Sequence, residues 1–260
     1  KIISYKLNLN FIDFIPNTLE DSILMFFSDE WNFFNYGEIL SFLKIKTISL
    51  NHNSKNKIKT SNHKIIFKSI LKTIFYYLKS LKKKDAIYFL PFEGKIFRKI
   101  LKNKTSNELI NSIYSIFKFR ISRINIDSEL RLQKLNYDTE NDFEIFLSQY
   151  ILKTLPLSLL EGYSHIGKFS LNKILNIKNN NYILISDFFS NELILDCLTN
   201  FSRNNIFIYQ HGGNFGFKKI NKTEQTEKLY SDNYLTWGWK NSNEIPFLAP
   251  FFQNLNLIDL

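Results

Sequence analysis

Tyr182–Gly216 reads YILISDFFSNELILDCLTNFSRNNIFIYQHGGNFG, and its hydrophobic rhythm changes twice. Tyr182–Ile185 is a short apolar run of β type, Ser186-Asp187 is a polar tip, Asn191–Phe201 carries apolar residues at helical spacing, and Ile206–Tyr209 is a second β run. Strand, helix and strand at this separation predict a right-handed βαβ unit, because parallel neighbours can be joined only by a crossover. That unit sets Asp187 and Gln210-His211 at the carboxyl ends of neighbouring strands, the edge at which open α/β sheets bind ligands. The chain then runs through Gly212-Gly213-Asn214-Phe215-Gly216, which holds three of the eight glycines in 260 residues. So dense a cluster of a scarce residue marks either a turn that needs positive φ or a backbone that a ligand approaches closely.

Outward from this unit the same reading predicts an α/β fold with a Rossmann-like parallel sheet and flanking helices. Residues 18–29 form a short helix with acidic residues at its start, and residues 63–83 form an amphipathic helix ending in lysines that suit a negative C-terminus. Ala86–Leu90 reads as a buried strand, turned by Pro91-Phe92-Glu93-Gly94 into an apolar-periodic segment, Lys95–Leu101. A helical pattern from Asn141 to His165 passes through Pro156, whose missing N–H restarts the helix, with Leu157–Tyr163 as its second piece. Asn233–Thr236 is a further strand, and Trp237-Gly238-Trp239 continue it with both indoles on one side. No linker interrupts the chain before Lys240, so residues 1–240 read as one domain with helical insertions.

Composition excludes several classes. A 44% hydrophobic and 16% aromatic chain is not disordered, and the lone Cys197 cannot form an intramolecular disulfide, which points to a reducing cytoplasm. Lysines 68 and 72 cut the longest apolar stretch short of a membrane span. The chain starts at Lys1 and stops at Leu260, which reads as a fragment. The net charge of +10 suits polyanions, phosphorylated substrates or peripheral contact with an anionic membrane, although a Lys- and Asn-rich composition also follows from an AT-rich genome. One Cys and four scattered His leave no zinc spacing, and no metal is expected. The P-loop, the G-x-S-x-G elbow and RNA-binding signatures are absent, so nucleic acid is not an expected partner.

His211 is the group best able to exchange a proton near neutral pH, and its place beside the glycine loop argues for function. Glu227 and Asp232 follow that loop as candidate acid, base or hydrogen-bond acceptor, against the plainer readings of an exposed Glu227 and a capping Asp232. Trp237 and Trp239 stack on a sugar or base, or pack into the core. His165 either ends a helix or lines the cleft, and His52 and His63 sit in a lysine-rich loop.

Taken in order, QHGGNFG at 210–216, Glu227, and SDNYLTWGW at 231–239 resemble the transferases found in bacterial surface-carbohydrate gene clusters. The match is sharp over about 30 residues of motif and diffuse before them. The resemblance implies a GT-B-like glycosyltransferase that needs no bound metal and moves a sugar from a nucleotide-sugar, such as a CMP-linked keto-sugar, to a surface polysaccharide or lipid-linked acceptor. It implies residues 241–260 as the start of a second, truncated domain. It implies His211 as base or leaving-group donor and Asp232 or Asp187 as the carboxylate. Gln210, Gly212, Gly213, Gly216, Lys218, Glu227, Trp237 and Trp239 would form the substrate-binding loop and its surroundings. A polyol-phosphate transferase on the same scaffold, and a non-catalytic half that binds glycan or membrane, are the rival readings.

Overall fold

A computed structural model describes residues 4–8, 11–51, 68–74, 86–89, 107–136, 138–174, 182–186, 188–200, 206–210, 212–240, 244–247 and 249. The chain divides into two compact units, one of residues 1–66, 115–168 and 190–192, the other of residues 67–114, 169–189 and 193–260.

In the first unit β1 (Ser4–Asn8) and β2 (Thr47–Asn51) pair in parallel, with Ser4 opposite Thr47 and Asn8 opposite Asn51. Between them lie α1 (Leu19–Phe26) and α2 (Asp29–Phe42). Each starts on a hydroxyl cap: Thr18 Oγ1 accepts from the Asp21 N–H and Ser28 Oγ from the Trp31 N–H. Both caps are followed by acidic residues, which suits the positive helix start. Phe14, Trp31 and Phe34 form an aromatic core, with the Phe14 and Phe34 rings stacked at 5.1 Å, and Tyr150 of α5 (Asp142–Thr154) packs on Phe34.

Arg131 of α4 (Ser128–Leu132) is fully buried in this unit and bidentate to Glu161, with Nε to Oε1 at 2.6 Å and Nη2 to Oε2 at 2.5 Å. Its Nη1 donates to the carbonyls of Leu152 and Leu155, at the end of α5. The helical pattern breaks at Pro156, as its chemistry requires. The second piece is not a helix over 157–163, however: a 3-10 turn covers Leu157–Leu159, and α6 begins only at Tyr163 and runs to Lys168. His165 sits on α6, where slight burial and then the charges of Lys168 and Arg120 lower its pKa below the ordinary imidazole value.

The second unit holds the predicted parallel sheet. Its described strands, β3 (Ala86–Phe89), β4 (Tyr182–Ile185), β5 (Ile206–Tyr209), β6 (Asn233–Thr236) and β7 (Glu244–Pro246), lie side by side in chain order, every pair parallel. β5 is therefore central, and Ile208 and Tyr209 are fully buried, as a parallel sheet covered on both faces demands. The β4–β5 crossover is α8 (Glu192–Thr199), whose Leu193, Ile194, Cys197 and Leu198 recur at helical spacing and are all buried. The β5–β6 crossover carries α9 (Lys222–Tyr230), packed on both strands. The sheet is a Rossmann-like α/β layer, and its βαβ unit follows the boundaries read from the sequence.

Helices not anticipated include α2, α4, α9 and α3 (Asn107–Ile121), the last of which buries Leu109, Ile110, Ile113, Tyr114, Phe117 and Ile121. Short helical turns at Phe11–Phe14 and α7 (Leu171–Ile174) complete the named elements. Of the expected helix over 63–83, residues 68–74 are described and helical; the expected turn at 91–94, the segment 95–101 and the 241–243 boundary region lie outside the described residues. Among the described residues no helix is long and apolar enough to cross a membrane.

Candidate functional site

Parallel strands deliver their C-terminal loops to one edge, and here that edge carries Ser186 after β4, Gln210 to Gly216 after β5 and Trp237 to Trp239 after β6. Asp187 and His211, the two groups the sequence sets at neighbouring strand ends, lie outside the described residues, as do His52 and His63. What the structure shows is the frame that holds the glycine loop at 212–216.

Gln210 is the keystone of that frame. It is buried, and its backbone N–H extends the ladder to the Leu235 carbonyl at 2.9 Å. Its Oε1 accepts from the Trp237 N–H and from the Trp239 indole Nε1, each at 3.0 Å, while Nε2 donates to the Gly212 carbonyl at 2.7 Å. One side-chain amide thus joins the start of the glycine loop to the turn after β6. The pairing explains why QHGG and TWGW occur in one chain: the glutamine of the first block is the hydrogen-bond partner of the second.

The far end of the loop is tied as well. The Gly216 N–H donates to Glu224 Oε2 of α9 at 2.9 Å, and Glu224 also pairs with Lys228 one turn later at 2.8 Å. Lys228 bridges to Glu244 at 2.8 Å and lies over the Trp239 ring at 5.0 Å. Burial opposes the Lys228 charge, but the hydrogen bonds it donates to Glu224 and Glu244 outweigh that and raise its pKa, so the ammonium holds its charge. Glu224, Lys228 and Glu244 were not singled out from sequence; the Glu224–Lys228 spacing of four on a helix was the available signal.

Trp237 and Trp239 are not on a strand. β6 stops at Thr236, and Gly238 adopts φ +92°, which turns the chain and ends the alternation expected there. The Thr236 hydroxyl donates to the Trp239 carbonyl and closes the turn. Trp239 then faces Gly216, and Trp237 lies beside Gly213.

Glu227 is fully buried and accepts from the Tyr234 hydroxyl at 2.9 Å, so it sits under α9 against β6 rather than in solvent. Asp232 stands at the other end of the sheet from the loop: its carboxylate accepts from the Ile206 N–H, and its own N–H donates to the Ile206 carbonyl, both at 2.9 Å. It clamps the amino end of β5, and the length of that strand, about 13 Å at 3.3 Å per residue, separates it from Gln210. Lys218 is exposed just beyond the loop.

Burial, then the Glu227 charge, raises the Tyr234 pKa well above the ordinary phenol value, and burial raises that of Tyr150 likewise. An acid whose native pKa lies above its unfolded value contributes stability that is whole below the unfolded pKa, about 10, and falls as the pH climbs beyond it. Stability is therefore expected to decline above about pH 10, with phenolate absorbance showing these two tyrosines ionising only as the fold opens. Ionisation of every tyrosine ahead of any loss of structure would contradict this.

The fold and the edge define an α/β protein with a pre-tied glycine loop at the centre of the sheet's carboxyl edge. The chain belongs to the LIC12162 family of transferases, whose model matches residues 2–259. Neither a curated protein nor a solved structure matches it.

Proposed function

We propose that this transferase is a glycosyltransferase of GT-B-like build, which takes a sugar from a nucleotide-sugar, such as a CMP-linked keto-sugar, to a surface polysaccharide or lipid-linked acceptor. The donor binds at the carboxyl edge of the second unit's sheet, along the Gly212–Gly216 loop. A cytoplasmic enzyme in peripheral contact with an anionic membrane surface fits the net charge of +10.

The observation that carries this reading is a contrast among the glycines. Gly216 is required by the fold: its φ is +81°, and a Cβ there would stand 2.7 Å from the Trp239 ring. Gly212 and Gly213 carry no such demand, since a Cβ at either meets only ring atoms, at 3.4 and 3.7 Å respectively. Glycines that packing does not need, on a loop tied at both ends, leave backbone N–H groups open to phosphate or carboxylate oxygens. In this scheme Lys218 adds positive charge to the leaving phosphate, His211 exchanges the proton, Asp187 supplies the carboxylate beside it, and Trp237 flanks the sugar. Gln210, Glu224 and Trp239 set the loop's shape, and no metal is assigned a role.

Gly213→Ala is expected to fold and melt like the wild type yet bind donor poorly, while Gly216→Ala loses about 1–3 kcal/mol to backbone strain alone. Calorimetric titration with CMP-, UDP- and GDP-sugars, alongside thermal melts, checks both. Unchanged donor affinity in Gly213→Ala, or no saturable binding of any nucleotide-sugar by the wild type, would remove this loop from donor recognition.

A further inference from the structure

Ser186 follows β4 directly, is 1% exposed, and its hydroxyl has no hydrogen-bond partner among the described residues. Ile185 pairs with Ile208, so Ser186 stands level with Tyr209, the last residue of β5, one step before Gln210 and the glycine loop. A buried hydroxyl with nothing to bond is unfavourable, and such groups are rare in folded proteins. Alanine would occupy the same space without that cost. Phe188, two residues on, is fully buried against Tyr230. The chain around Ser186 is thus packed, and its oxygen is left over near the carboxyl edge of the sheet, the side on which open α/β sheets bind ligands.

We propose that the Ser186 hydroxyl is a ligand group that donates a hydrogen bond to a phosphate oxygen of the bound nucleotide-sugar, a residue of the donor site that its own fold leaves unsatisfied until the donor arrives. The inference rests on the nucleotide-sugar reading of this edge. A hydroxyl can serve an ionised oxygen at short range without carrying charge itself, and bonds of this kind to charged groups are among the stronger ones. The Gly212–Gly213 backbone and Ser186 would then reach the phosphate from adjacent strand ends, β5 and β4.

The test compares wild type with Ser186→Ala for the CMP-, UDP- or GDP-sugar that the wild type binds, and for the matching nucleoside, which lacks phosphate. The variant is expected to melt at the wild-type temperature or above it, to bind the nucleoside as the wild type does, and to bind the nucleotide-sugar about 10-fold or more weakly, as loss of a hydrogen bond to a charged group implies. Equal affinity of the two proteins for the nucleotide-sugar would remove Ser186 from the site and leave the donor reading standing. A clear drop in melting temperature would show that the hydroxyl is bonded within the fold, which also overturns the inference. Absence of nucleotide-sugar binding by the wild type would overturn the donor reading and, with it, the role given to Ser186.

Discussion

His211→Ala is expected to lower the proposed sugar transfer about 10²–10⁴-fold while the melting curve stays near that of the wild type. The rate loss is the usual size of a general acid–base contribution, and an unchanged melting curve separates that loss from damage to the fold. Asp232→Asn supplies the contrast. Its carboxylate spans the amino end of β5 by accepting from the Ile206 N–H, and an asparagine oxygen can accept the same bond. That variant keeps most of its turnover, with at most a modest loss of stability. Steady-state transfer by purified proteins, each checked by thermal unfolding, decides the matter. Wild-type turnover in His211→Ala removes the imidazole from the mechanism, and near-complete loss in a fully folded Asp232→Asn reinstates that carboxylate as a reacting group.

Glu161→Ala destabilises the first unit by about 3–5 kcal/mol, the usual consequence of leaving a buried charge without its partner. Arg131 is 0% exposed, so its guanidinium cannot recover the lost carboxylate from water, and the Asp127 N–H loses an acceptor at the same time. The melting temperature of that unit falls by on the order of 10 °C. The paired replacement Arg131→Met with Glu161→Leu costs less than Glu161→Ala alone, because it removes the uncompensated charge together with the bond. Chemical denaturation of the three proteins measures the difference. A single replacement no worse than the double one would mean that the guanidinium finds other partners.

The arrangement of β4, α8 and β5 was legible because each element carries its own period: Leu193, Ile194, Cys197 and Leu198 line one face of a helix, and the runs on either side are too short for anything but strands. The spacing of Leu109, Ile113, Phe117 and Ile121 carries the signal for α3 as well. α2 was harder. Trp31, Phe34 and Leu40 are buried while Phe33, Tyr36 and Leu43 are exposed, so apolar residues ring the helix and blur its periodicity. At Pro156 the sequence predicts the break correctly but not the conformation of Leu157–Leu159 beyond it, since a 3-10 turn and a helix look alike over a few apolar residues.

The candidate site divides in the same way. The sequence by itself determined that scarce glycines come after a strand, that a Gln-His pair precedes them, and that a Trp-Gly-Trp block returns later, because residue type and chain order are local information. Only the tertiary structure decided what those residues do to one another. Gln210 and Trp239 are 29 residues apart and meet through one hydrogen bond, Gly216 and Glu224 through another, and Asp232 is carried to the opposite end of the sheet. The reason is geometric: in a parallel sheet the chain leaves each strand at one edge and re-enters the next at the other. Residues far apart in sequence therefore share an edge, while Asp232, five residues before Trp237, lies a full strand length away from it.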